Sequence, residues 1–251
     1  MGASPRLGCV QYLNALPLIH GWEGQVRFDH PSNLCRDLAA GKLDVALVSS
    51  FEYLRHPIYF AVDRIAIAST GPVYSVILVH REPIEQLREV IIDPASETSA
   101  NLLRCLLGEQ SIKFVSDGKI NAERGRLLIG DQAIRFRQRA GDEVQILDLG
   151  AAWQEFAALP FVYALWLIRP DYNAKDQIAT QLRSLGNHNL QSLTKVIAAQ
   201  PAEKQDFCEF YFRRCLRFDL STEEKKGFQR FGELCAQRKI LSGVPKPPKY
   251  I

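Results

Sequence analysis

The 251-residue chain lacks any apolar run of the roughly 18–20 residues that cross a bilayer. Its longest, residues 159–168, is interrupted by Pro160, so no membrane partner is expected. The opening Met-Gly-Ala-Ser-Pro-Arg shows no basic segment followed by an apolar one, and no secretory leader is expected. No C-x-x-C pair occurs and the five histidines are scattered. The clustered spacing that zinc requires is therefore missing, and no metal is expected. Neither a Walker pattern nor G-x-G-x-x-G is present, which removes the usual nucleotide phosphate loops. No histidine falls in a constellation with Ser, Cys or Asp, which argues against a catalytic triad. The chain also lacks a dominant charge: 31 Lys+Arg face 28 Asp+Glu, a net +3. That balance argues against nucleic acid as the partner but suits a small anionic ligand. No cofactor is expected.

What is present is ordinary globular composition, 47% hydrophobic and 24% charged, with enough apolar material for one large domain or two modest ones. The six cysteines sit mostly among apolar residues, as buried thiols do. With no leader in view, a reducing cytoplasm is the expected compartment.

Short apolar runs alternate with helical patterns. Residues 7–10, 26–28, 45–48, 65–68 and 73–79 read as strands, and Ser32 reads as the cap of a helix that stops at Gly41. The rhythm restarts with strands at 90–92, 127–129 and 144–147, each followed by a polar turn and a helix. From Asn173 onward the chain reads as helical, with a break at Gly186-Asn187. Ser221 and Glu224 form a capping box for the last helix. The Pro-rich end reads as extended and poorly ordered. The fold class expected is α/β, with continuous apolar strands covered by helices on both faces. Two such units suggest two lobes: residues 1–79 with 166–251, and an inserted 80–165. Residues 74–79 and 161–168 would be the crossing strands, with ligand bound between the lobes.

The strand-to-helix turns are where chemistry could gather, because helix N-termini offer unpaired N–H groups to anions. Ser49-Ser50 is one such turn, and Ser96, Thr98 and Ser99 make the richest, although capping alone would account for the latter equally well. Asn14 follows a strand, where Asn is most often a turn residue. Ser75 lies in an apolar strand, so its hydroxyl needs either a backbone partner or something in the cleft. Asp131 and Asp148 stand at strand ends, able to cap a helix or bind a hydroxyl.

Taken together, the motifs resemble a known family. They are Val-Gln-Tyr-Leu-Asn14-Ala-Leu-Pro17-Leu, Gly41-Lys-Leu-Asp44-Val-Ala-Leu-Val-Ser49-Ser50-Phe-Glu-Tyr and Gly71-Pro-Val-Tyr-Ser75-Val-Ile-Leu. They continue with Ser96-Glu-Thr98-Ser99, Leu128-Ile-Gly130-Asp131-Gln-Ala, Asp148-Leu-Gly150-Ala-Ala-Trp153 and Leu159-Pro160-Phe-Val-Tyr-Ala-Leu-Trp166. Each is weak alone, but in this order the set resembles the chorismate dehydratase family of the futalosine route to menaquinone. The match covers residues 7 to about 170, and the helical tail fits more loosely. The resemblance implies a two-lobed fold like type II periplasmic binding proteins, with mixed, mostly parallel sheets. It implies a cytoplasmic, cofactor-independent hydro-lyase that converts chorismate, a small dicarboxylate, to 3-[(1-carboxyvinyl)oxy]benzoate. It places Asn14 and Ser75 at the reacting centre, and Tyr12, Ser49, Ser50, Ser96, Thr98, Ser99 and Asp131 around the substrate. A sister enzyme of the same fold usually begins with a Ser-Pro-Cys-Pro-Asn-Asp type segment and uses a histidine; neither feature is visible here. One departure is Ala157-Ala158, where the family commonly has Thr-Gly.

Two other classes compete: a binding protein for a small carboxylate without catalysis, and the sensing domain of a transcription regulator. No basic helix-turn-helix segment precedes the lobes, which ranks the last lowest. Monomer and homodimer are both open.

Overall fold

The computed structural model describes residues 4–93, 97–108 and 110–251. Its strands are β1 (Leu7–Val10), β2 (Val26–Asp29), β3 (Val45–Ser49), β4 (Phe60–Ser69), β5 (Val76–His80), β6 (Glu89–Ile91), β7 (Lys113–Val115), β8 (Arg124–Ile129), β9 (Gln145–Asp148), β10 (Phe161–Ile168) and β11 (Lys249–Tyr250). Its α-helices are α1 (Leu16–Ile19), α2 (Pro31–Ala39), α3 (Phe51–Arg55), α4 (Glu97–Leu107), α5 (Gly130–Arg137), α6 (Leu149–Ala157), α7 (Lys175–Gln191), α8 (Leu193–Ala198), α9 (Ala202–Phe210) and α10 (Thr222–Gln237). Among the described residues, no helix is long and apolar enough to cross a membrane.

The strands form two sheets, ordered β11-β4-β10-β3-β1-β2 and β7-β6-β8-β5-β9. Both are mixed. In the first, β10 runs antiparallel to β3 and β4, and in the second β5 runs antiparallel to β8 and β9. The remaining pairings are parallel. The two reversed strands share one cause. Each is the first strand after the chain crosses from one sheet to the other. A chain that enters a sheet from the end where the parallel strands finish must run against them.

The crossings lie in the connections from β4 to β5 and from α6 to β10. Residues 76–79, expected in the first unit as part of a crossing strand, pair instead within the second sheet, and residues 161–165, expected in the insert, pair within the first. Both runs are apolar because they are buried on both faces: all five residues of β5 and all eight of β10 are buried.

Other differences have local reasons. β4 extends back to Phe60 beyond the expected 65–68. The charged pair Asp63-Arg64 hides this, with Arg64 at φ 63° where the register to β10 slips. α2 begins at Pro31, whose fixed φ suits a first helical position, rather than being capped by Ser32. α7 runs unbroken through Gly186, where an added Cβ would lie 2.3 Å from Ile65. That glycine permits close packing rather than ending the helix. The C-terminal segment is not loose: β11 pairs parallel with β4, and the Asp63 N–H donates to the Ile251 carbonyl at 2.9 Å. It covers what would be an open sheet edge. α10 starts at the expected capping box and packs on both β10 and α4, so it touches both units.

Candidate active site

Between the sheets lies a cavity of about 60 Å³. Asn14, Tyr12 and Ser49 line it from the first sheet's side, and Ser75, Thr98, Ser99 and Gly130 from the second's. Val10, Ile67, Val73 and Ile129 supply apolar walls. Larger grooves exist elsewhere. One of about 1110 Å³, lined by Arg6, Trp22 and Gln181, holds none of the expected residues, and Arg6 there is paired with Asp44.

Asn14 sits in a short 3-10 turn, Leu13–Ala15, directly after β1. Its Oδ1 is buried with no hydrogen-bond partner, an acceptor out of water and unsatisfied. The turn is pinned from across the cavity: the Leu13 N–H donates to Asp131 Oδ1 at 3.1 Å. Asp131, near the start of α5, thus faces the adjoining groove rather than the cavity. It positions the Asn14 turn.

Ser75 is fully buried just before β5. The residue ahead of it, Tyr74, holds φ 68°, a left-handed conformation that costs a non-glycine residue about 1–2 kcal/mol. Asp148 holds the segment in place. Its carboxylate accepts the Val73 and Tyr74 N–H groups at 2.9 and 2.8 Å, while Arg137 donates to it at 2.9 Å. The same carboxylate caps α6 through Gly150 and Ala151. The Ser75 carbonyl accepts the Gly130 N–H at 2.8 Å, and Tyr211 donates its phenol proton to Ser75 Oγ at 2.6 Å. Gly130 itself, at φ 54°, lies under the Tyr12 ring, where an added Cβ would come within 2.7 Å.

Thr98 and Ser99 open α4 and are buried. The Thr98 hydroxyl bonds the Ser49 hydroxyl and accepts the Phe51 N–H at 3.2 Å, which ties the start of α4 to the start of α3. Ser50 does not reach the cavity: its hydroxyl donates to the Val162 carbonyl at 2.7 Å. Ser96 lies outside the described residues. Tyr12 keeps its proton at ordinary pH. Burial, and then the negative charges of Asp93 and Asp131, push its phenol up to about 12.

Two tyrosines were missed from sequence. Tyr163 lines the cavity, with its hydroxyl 3.1 Å from Ser69 Oγ, and Tyr211 stands behind Ser75. Both occur in apolar stretches that read as core. The available signal was that a buried phenol must find a partner. The cavity therefore gathers neutral donors and one unpaired acceptor among apolar walls. Among the described residues, no Lys or Arg lines it.

Residues 5–237 match the family described as Menaquinone biosynthesis, a span that includes every strand but β11 and every residue of this cavity. The chain belongs to that family. Among menaquinone biosynthesis relatives, it is 30% identical over 272 aligned positions to a protein of Thermus thermophilus named chorismate dehydratase, covering 97% of each chain. A chorismate dehydratase of Campylobacter jejuni is 26% identical over 230 positions, covering 89% of this chain and 90% of that one. Among solved structures, the periplasmic aliphatic sulphonate binding protein SsuA of Escherichia coli superposes with a TM-score of 0.63 at 15% identity, covering 99% of this chain and 96% of that one. This family member therefore has a periplasmic-binding-protein-like fold, as expected from the sequence.

Proposed function

We propose that this protein is a chorismate dehydratase, forming 3-[(1-carboxyvinyl)oxy]benzoate and water in the first step of the futalosine route to menaquinone. The observation that carries the reading is Asn14 Oδ1, a buried unpaired acceptor on the wall of a cavity that also presents the Ser75 hydroxyl. The named relatives agree with it.

The chemistry asks little of the protein. The C3 hydrogen of chorismate is vinylogous to the ring carboxylate and so is acidified. The C4 hydroxyl leaves, and loss of both makes the ring aromatic. A carboxylate of the substrate takes the C3 proton, the C4–O bond breaks as the C3–C4 double bond forms, and the proton leaves with the hydroxyl as water. Asn14 and Ser75 hold the departing oxygen. Tyr12, Ser49, Thr98 and Ser99 replace water around the carboxylates. Asp131 acts on the Asn14 turn, and Ser50 on the sheet behind.

Ligand pockets run from roughly 300 Å³ upward, so a cavity of about 60 Å³ must widen to admit chorismate. On this reading the two sheets are two lobes that rotate about the two crossings. The Ser49–Thr98 and Leu13–Asp131 bonds part on opening. Six buried cysteines outside any disulfide suit a cytoplasmic location.

Incubation of the purified protein with chorismate tests the reading. Mass spectrometry should show loss of one water to an aromatic product without added metal or nucleotide. A solute-binding protein with this fold returns chorismate unchanged.

A further inference from the structure

Tyr211 makes the shortest contact to a reacting group that the mechanism leaves without a role. It lies outside the cavity lining, fully buried, and its phenol reaches Ser75 Oγ at 2.6 Å. It begins a π-helical turn, Tyr211–Cys215, that follows α9 directly. Such turns are rare overall but frequent at functional sites. The ring is stacked on Phe207 at 5.5 Å and 15°, and Phe207 packs on Tyr74 at 5.3 Å, the residue before Ser75. Both the phenol and the strained turn that carries Ser75 are thus held by one aromatic stack.

A hydroxyl has one proton to donate and two lone pairs with which to accept. A phenol, with an ordinary pKa of about 10, is a far stronger acid than an alkyl hydroxyl, so the proton in this bond belongs to Tyr211. Burial pushes the Tyr211 phenol up further, which keeps it a donor at every working pH. Once Ser75 Oγ accepts that proton, its own cannot point back at Tyr211. Among the described residues Ser75 Oγ is joined by a hydrogen bond to Tyr211 alone, and no protein acceptor takes its proton. The remaining direction open to the Ser75 proton is the cavity that the residue lines.

We infer that Tyr211 is a positioning residue that aims the Ser75 O–H into the cavity, making it a hydrogen-bond donor to the oxygen that leaves the substrate. The inference rests on the dehydratase reading for the identity of that oxygen. Accepting from Tyr211 also polarises the Ser75 hydroxyl and makes it a better donor. The protein thereby offers the leaving oxygen one directed donor without placing a charge in an apolar cavity.

The test is Tyr211→Phe, made in the wild type and in Ser75→Ala, with kcat and KM measured on chorismate and thermal unfolding on each protein. Tyr211→Phe in the wild type should lower kcat about tenfold, short of the roughly 10²- to 10³-fold that loss of a direct donor to a transition state costs. KM should stay within about twofold. In the Ser75→Ala background the same change should leave kcat within about twofold, because the hydroxyl through which Tyr211 acts is gone. Unchanged kcat in the first background, or an equal loss in both, overturns the inference. So does a fall in kcat matched by a rise in KM. The second measurement is a neutron structure of the wild-type protein, which needs neither turnover nor a variant that folds. It should show the Tyr211 deuteron on the line to Ser75 Oγ and the Ser75 deuteron directed at the cavity. A Ser75 deuteron pointing at Tyr211 refutes the inference whatever the substrate proves to be. Wild-type protein that leaves chorismate intact refutes the dehydratase reading alone.

Discussion

The two sheets place their cavity residues by different means. In the six-stranded sheet β3 and β10 are buried from end to end, and Ser49 and Tyr163 are carried by that packing. Both sheets have partly exposed edge strands, β2 and β11 in one and β7 and β9 in the other, but one face of the five-stranded sheet adds only a small cluster of Ile77, Val79 and Ala133. Its cavity residues are held by polar contacts, with Asp148 gripping the turn before Ser75 and Thr98 bonded across to Ser49 and Phe51. One side is a packed frame and the other a latched one. Lower local stability belongs to the side with fewer apolar contacts, which is where a closing motion can be accommodated.

That contrast can be broken at several points. Trp166→Ala in β10 removes a fully buried ring from the frame and should cost about 3–5 kcal/mol in urea unfolding. The folded fraction should keep its KM; a shifted KM would mean that the frame is also part of the latch. Asn14→Ala and Ser75→Ala take one reacting group from each side. Each should lose roughly 10²- to 10³-fold in kcat with the fold retained by circular dichroism. Strongly unequal losses would confine the chemistry to one side.

Asp148→Asn weakens the latch. The carboxylate is buried, with its side chain 8% exposed, and pairs with a partly exposed Arg137, so removing its charge should cost about 2 kcal/mol and lower kcat severalfold. A stability loss with wild-type kcat would detach Asp148 from the placement of Ser75. Thr98→Ala should raise KM about five- to tenfold, a change of about 1 kcal/mol, with little change in melting temperature. The reverse pattern would make Thr98 only a structural tie. The smallest effect is expected at Ala158, which caps α6 at φ 53°. Ala158→Gly should stabilise the protein by about 0.5–1 kcal/mol in thermal unfolding, because glycine takes that conformation without a Cβ clash.

The same contrast explains what could be read from the sequence. β3, β5 and β10 were visible as continuous apolar runs because they are buried on both faces. Their direction was not, since an apolar run looks the same whichever way it lies in a sheet. For the same reason the pattern of residues 76–79 and 161–165 does not say which sheet each run joins, and they pair across the crossings from the expected lobe bounds. Among site residues, Ser49 ends β3, Asn14 stands in the turn after β1, Ser75 directly precedes β5, and Thr98 and Ser99 open α4, and all five reach the cavity from these element ends. Ser50 stands one residue beyond Ser49, and that step turns its hydroxyl back to Val162. Asp131 spends its carboxylate on Leu13. Tyr163 and Tyr211 were hidden because a tyrosine among apolar neighbours has the same pattern as a phenylalanine, and only the position of its partner marks it.

The most direct test of the account is a crystal structure of the Ser75→Ala protein with chorismate bound. The ring should lie between the two sheets, with its C4 oxygen within hydrogen-bonding distance of the Asn14 side chain and the Ser49–Thr98 bond opened or rearranged around a carboxylate. Chorismate bound elsewhere, for example in the groove between Phe28 and Lys204, with Asn14 Oδ1 still unpaired, would contradict it.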